Sequence, residues 1–254
     1  MKIYFLTLTA AFLMNSLYAS VPVCLEKDSV KTDIKKKPVI VWQPSHQTNT
    51  GKDFSEAAVC NGIVEAAMKA SPGLKESKVW SFGRKRLHHP DVGSNTVIGH
   101  TSAIIDGKIS GYAYEVKKSN KKSPAVFISV HNNGATNRHA VWGFIHDGDR
   151  YEAENRDLAA RLIKAVSTAT GLENRGVFLD SSTGRNDYVC KSSGKRAFYS
   201  LDENVNNGPY RVLLEIGDNA ISKAFLEDPV NQKKMGEAIK RELADWLKDK
   251  GFRL

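Results

Sequence analysis

The 254-residue chain has only three cysteines and eight prolines, and no C-x-x-C or Cys/His spacing that would point to cysteine-bound metal. It has no H-E-x-x-H, so no zincin-type helix supplies metal ligands. It also lacks a G-x-S-x-G nucleophile elbow and a phosphate-binding P-loop. There is no internal repeat. Its basic runs, Lys35-Lys36-Lys37, Arg84-Lys85-Arg86, Lys117-Lys118 and Lys121-Lys122, have no interleaved aromatics, which argues against single-stranded nucleic acid as a partner. Its longest apolar run, Ile3 to Met14, is shorter than the roughly 20 residues that span a bilayer.

That run has the form of a secretory signal. Met1-Lys2 is a short positive start, and Asn15-Ser16-Leu17-Tyr18-Ala19 ends in a small residue, so residues 1–19 are expected to be cleaved. The mature chain is then exported, periplasmic or secreted, with no stable membrane insertion after cleavage. Val21-Pro22-Val23 offers no small residue before Cys24, which argues against lipidation there. Outside the cytoplasm Cys24, Cys60 and Cys190 can form at most one intramolecular disulfide. The formal charge of +9 falls to +8 when Lys2 leaves with the signal, and a basic exported protein meets anionic surfaces such as cell-wall polymers.

Composition, 41% hydrophobic and 26% charged, supports one globular domain. Residues 20–37 read as a polar linker and 38–254 as the domain. Strands are expected over 38–43, 78–82, 125–130, 140–146 and 210–216, with helices over 55–69 and 154–170. A last helix follows Asp228 as cap and Pro229 in the first turn, with Met235, Ile239, Leu243, Trp246 and Leu247 as its stripe and Gly251 as its stop. The alternation predicts an α/β fold, a twisted, mostly parallel or mixed sheet with helices on both faces. Residues 83–124 show little periodicity and read as an irregular insertion.

Three distant segments end apolar strands in histidine or acid: Gln43-Pro44-Ser45-His46, with Glu56 following; Ser129-Val130-His131; and Leu213-Leu214-Glu215. Residues just past the carboxyl ends of parallel strands share one crevice. Two histidines and two glutamates there suffice for a catalytic zinc ion held by His46, Glu56 and His131, with Glu215 left to carry protons. Glu56 has a competing explanation, because Asp53-x-x-Glu56 resembles a capping box and Ser55 is also able to cap. Glu215, flanked by apolar residues, must be paired, metal-bound or held protonated. The other histidines, His88, His89, His100, His139 and His146, read as loop residues, with His139 placed to line the cleft.

These segments resemble the zinc-dependent N-acetylmuramoyl-L-alanine amidases of the amidase-3 family. Gln43-Pro44-Ser45-His46 is similar to its D-P-G-H-G turn, Ser129-Val130-His131-Asn132-Asn133 to its S-I-H-A-N, and Leu213-Leu214-Glu215-Ile216-Gly217 to its L-V-E-x-G. Asn174-Arg175-Gly176-Val177 and Asn120 also match family positions. The chain departs at Gln43 and Ser45, lacks the arginine-containing segments before the third strand, and has Asp218-Asn219 after Gly217. The resemblance implies Zn2+ on His46, Glu56 and His131, Glu215 as the catalytic carboxylate, and cleavage of the amide between N-acetylmuramic acid and L-alanine in peptidoglycan or muropeptides. Two rival readings are a zinc carboxypeptidase-like or small acyl-amino-acid amidohydrolase, for which Arg185 or Arg211 would bind a terminal carboxylate, and a non-catalytic wall-binding protein.

Overall fold

A computed structural model describes residues 37–47, 50–80, 104–105, 108–109, 111–134, 136–183, 189–190 and 193–254. Strand β1 (Val39–Pro44) leads to helix α1 (Glu56–Lys69) and strand β2 (Lys75–Lys78). A small antiparallel pair, β3 (Ile104–Ile105) and β4 (Lys108–Ile109), precedes helix α2 (Gly111–Asn120). Then come β5 (Val126–Asn133), β6 (Ala140–Ile145), α3 (Glu152–Thr170), β7 (Glu173–Leu179), β8 (Tyr210–Asp218), α4 (Lys223–Glu227) and α5 (Pro229–Asp249).

Six strands form one sheet in the order β2-β1-β5-β8-β6-β7. All neighbours run parallel except β6 and β8, which are antiparallel. The sheet is therefore mixed, as the strand and helix alternation predicts. Strand side chains alternate between faces. Ile40, Trp42, Val126, Ile128, Val130, Val212, Leu214 and Ile216 point into the main core, together with Ile63, Leu162, Ile239, Leu243 and Trp246 from α1, α3 and α5. The opposite face carries Val41, Phe127 and Leu213, but also Gln43, Ser129, His131 and Glu215, all buried. Helix α2 covers part of that face, since its Glu115 reaches Gln43.

Local signals explain the helix ends. Asp228 accepts from the Val230 amide at 2.8 Å with Pro229 in the first turn, and Gly171 (φ 79°) and Gly251 (φ 81°) take the left-handed conformation after α3 and α5. Helices α1 and α5 pack closely at Gly236, where a Cβ would come within 2.5 Å of the Ile63 carbonyl oxygen. Two expectations are corrected. The second strand lies at Lys75–Lys78, ending where it was expected to begin, because this polar edge strand, Lys-Glu-Ser-Lys, gives no apolar alternation. Within the supposed irregular segment 83–124, residues 111–120 form α2; residues 83–103 lie outside the described set.

Candidate active site

The parallel register of β5 and β8 sets His131 directly beside Glu215, and both belong to the face that α2 partly covers. On the next strand Ser45 donates its amide to Val130 O at 2.9 Å, fixing the turn that carries His46. All four predicted site residues are buried at this end of the sheet: His46 1%, Glu56 3%, His131 3% and Glu215 2% exposed.

Glu56 does not serve the capping role that competes for it. Ser55 caps α1, accepting from the Ala58 amide. The Glu56 carboxylate instead meets His131, with Oε1 2.9 Å from Nδ1. Cys60, one turn on, is buried against the Asn132 side chain. Burial and the negative charges of Glu56 and Glu215 push its thiol well above the usual range, so it stays a protonated, small apolar group. Asn132 in turn donates to Ile216 O at 2.7 Å, stitching the end of β5 to β8.

The sequence reading missed Glu115. Its carboxylate is fully buried and lies 3.2 Å from His46 Nδ1, while accepting from Gln43 Nε2 at 2.6 Å. Ser129 Oγ donates to Gln43 Oε1 at 2.7 Å, completing a chain from β5 through β1 to α2. Gln43, which departs from the family turn, thus has a partner that also departs from the usual pattern of an apolar helix face. Tyr112 of α2 packs its ring 4.5 Å from that of His46 and 5.9 Å from that of His131. Its hydroxyl accepts from Gln47 at 3.0 Å.

Each histidine therefore faces a buried carboxylate through Nδ1, and a third carboxylate, Glu215, stands on the adjoining strand. Nitrogen and oxygen donors of this kind suit zinc. Two such donors about 2.0–2.1 Å from one ion are separated by roughly 3.4 Å in a tetrahedron, so the 2.9 Å His131–Glu56 contact is short enough for both to serve one ion. The chemistry of the donors suits zinc, and His131 and Glu56 are close enough to share one ion. Among the described residues, however, the three donors that all lie within 4.8 Å of one another are a different set, His146, Cys190 and Asp202.

Beside Glu215 a cavity of about 250 Å³ opens between aromatic walls of Trp142, Phe144, Phe178 and Phe198, with Asn133, Ser182 and Thr183 as polar edges. The other predicted residues stand elsewhere. His139 bonds the Ser222 hydroxyl at 2.9 Å and packs edge-on against Phe225, away from the cavity. His146, expected in a loop at the surface, is 4% exposed. Burial disfavours its imidazolium, but the Asp180 hydrogen bond and the charges of Asp180 and Asp202 raise its pKa to about 9. His88, His89, His100 and Arg185 lie outside the described residues. Arg211 is not available to a substrate carboxylate: it is buried, paired with Asp149, and donates to the carbonyls of Leu201, Asn206 and Gly208. Asn120 binds Val205 O and the Asn207 amide, fastening the end of α2 to the chain before β8.

A mixed α/β sheet with buried imidazole–carboxylate pairs at its strand ends is thus in place. The family model described as N-acetylmuramoyl-L-alanine amidase (amidase-3) matches residues 103–245, more than half of the chain, and the chain belongs to that family. The match includes His131 and Glu215 and begins after His46 and Glu56. Among solved structures, an N-acetylmuramoyl-L-alanine amidase from Clostridium difficile 630 superposes with a TM-score of 0.57 at 15% identity, over 84% of this chain and 98% of that one. AmiC2 of Nostoc punctiforme gives 0.54 at 16%, over 84% and 98%. The catalytic domain of CwlV from Bacillus (Paenibacillus) polymyxa var. colistinus gives 0.54 at 16%, over 83% and 98%. At such identities the likeness is one of fold. A comparison with curated protein sequences returned no match.

Proposed function

We propose that the protein is an exported, zinc-dependent N-acetylmuramoyl-L-alanine amidase that hydrolyses the amide between N-acetylmuramic acid and L-alanine in peptidoglycan or its fragments, in cell-wall remodelling or turnover. Family membership supports the reaction class. The observation that carries the reading is the adjacent, buried pair His131 and Glu215, with Glu56 on His131 and an aromatic cavity alongside.

In this reading His46, Glu56 and His131 hold the zinc. Bound there, zinc would bring the pKa of water toward about 7 and polarise the scissile carbonyl. Glu215 takes the proton of the attacking water on a carboxylate oxygen. It then hands that proton to the departing amide nitrogen, so the peptide leaves as a neutral amine. Glu115 acts behind His46: a proton on His46 Nδ1 donated to Glu115 would fix the tautomer and leave Nε2 as the nitrogen that would hold the ion. Trp142, Phe144 and Phe198 offer apolar faces on which a sugar or lactyl group can lie.

Export rests on the residue 1–19 signal. None of the described helices is long and apolar enough to cross a membrane. The test is digestion of purified peptidoglycan and soluble muropeptides by the wild type and by Glu215→Gln, with mass spectrometry of the products. Stem peptides with a free L-alanine amino terminus are expected from the wild type alone, with Glu215→Gln still retaining zinc. Release of a terminal amino acid would favour the carboxypeptidase-like reading despite the occupied Arg211. No cleavage by either protein, with wall binding intact, would favour a binding protein.

A further inference from the structure

The donor group His146, Cys190 and Asp202 lies well away from the residues assigned to amide hydrolysis. Trp142 of β6 stands opposite Glu215, and His146 is four residues further along that strand. At about 3.3 Å per residue this is roughly 13 Å along the sheet. The three donors come from the end of β6 and from two points in the chain between β7 and β8. All three residues are buried, at 4%, 1% and 0% exposed, and Cys190 is a thiol rather than half of a disulfide.

We infer that His146, Cys190 and Asp202 form a second metal site, selective for zinc, that clamps the segment between β7 and β8 onto β6. The donor atoms lie within 4.8 Å of one another. His146 Nε2 and Asp202 Oδ1, at 3.8 Å, are close to the roughly 3.4 Å between two nitrogen or oxygen ligands on one zinc tetrahedron. His146 is already oriented as a ligand, because Asp180 Oδ2 holds its Nδ1 at 2.8 Å and leaves Nε2 toward the group. Asp180 is itself fixed by the amides of Asp147 and Phe198. Asp202 ties the three donors together: its Oδ1 takes the Asn204 amide and side chain, both at 2.8 Å, and the Cys190 side chain and the charge of His146 both act on the same carboxylate, so a metal entering here would replace the protons that now join the three side chains.

Thiolate, imidazole and carboxylate together favour zinc over magnesium or calcium, which take oxygen ligands. One dication enters as two protons leave, one from the imidazole and one from the thiol, so the net charge of the buried group is unchanged. The clamp has a mechanical purpose. Among the described residues, the apolar clusters of this segment are small: Cys190 and Ala197 pack with Tyr199, and Phe198 and Leu201 pack on Leu213. Yet the same segment supplies Phe198, a wall of the cavity beside Glu215.

The test uses the whole chain, stripped of metal and refilled with Co2+. A thiolate-to-cobalt charge-transfer band in the near ultraviolet is expected from the unaltered protein, together with two zinc equivalents per chain by elemental analysis after zinc refilling. His131→Ala should lose one equivalent and keep the band; Cys190→Ser should lose one equivalent and the band. These arms separate failure here from failure of the amidase centre. Absence of the band in the unaltered cobalt protein, or equal reaction of Cys190 with a thiol reagent with and without zinc, would overturn the proposal, as would Cys190 recovered in a disulfide.

Discussion

Replacing Glu115 by Gln should weaken zinc binding about 10- to 100-fold, without unfolding the protein. The carboxylate accepts from two donors at once, Gln43 Nε2 at 2.6 Å and His46 Nδ1 at 3.2 Å. Both donors reach the same oxygen, Oε2, with Oε1 also 3.2 Å from His46 Nδ1, so a glutamine can keep that geometry but not the negative charge behind it. The variant loses a charge-assisted bond worth about 1.5–3 kcal/mol. Removing a group that orients a ligand histidine typically costs 10- to 100-fold in metal affinity, about 1.4–2.8 kcal/mol, so the two routes agree. Competition against a chelator of known affinity reads the effect, with circular dichroism to confirm folding. Ser129→Ala, which removes only the neutral bond to Gln43 Oε1 at 2.7 Å, should weaken zinc by less, under about tenfold. Glu115→Gln binding zinc within about twofold of wild type would refute the reasoning, as would a larger loss in Ser129→Ala.

Three further outcomes follow from the packing and the charges. Asp149→Asn should cost about 3–5 kcal/mol in urea denaturation, because it leaves the buried Arg211 guanidinium without its counter-ion; a loss under about 1 kcal/mol would mean that the carbonyls around Arg211 suffice. Gly236→Ala should destabilise by about 1–3 kcal/mol or more, since the new methyl meets the Ile63 and Ala67 backbone at 2.5 and 2.6 Å, and an unchanged midpoint would deny that close approach. Burial would raise the Asp218 pKa, but hydrogen bonds from Thr136, Ala220 and Ile221 hold it below the ordinary 3.8. A depressed folded value stabilises the protein above pH 3.8 and loses that contribution as the pH falls through it. The stability gap between wild type and Asp218→Asn should therefore be full near neutrality and shrink below about pH 4; a gap that does not vary with pH would contradict this.

Much of the fold was legible because the central strands and the long helices follow their periods closely. Strands β1, β5 and β8 are apolar runs, as buried parallel strands are, and α5 carries its cap, its proline and its stripe in the sequence. Strand β2 was misplaced because a polar edge strand has no buried face to impose alternation. His146 was misread for a related reason. It directly follows an apolar strand, as His131 ends one, but its partners Asp180, Cys190 and Asp202 lie 34 to 56 positions away in a segment with neither strand nor helix period. No spacing rule joins such residues; the parallel register of β6 and β7, which pairs Ile145 with Leu179, sets His146 beside Asp180.

Helix α2 was hidden by the feature that gives it a role. Its buried positions are Gly111, Ala113, Glu115, Val116 and Ser119, so a glutamate and a serine stand where an apolar stripe would announce a helix. A buried carboxylate in that place makes sense only if a neighbouring element offers donors, and His46 and Gln43 do. The same rule holds on the sheet beneath. Gln43, Ser129, His131 and Glu215 are polar residues in strands that are otherwise apolar, and all four fall on one face. Each taken alone looks like an error in the pattern. Because strand register forces them onto a common surface, their polarity is shared, and the violations of the pattern mark the site more directly than the segments that obey it.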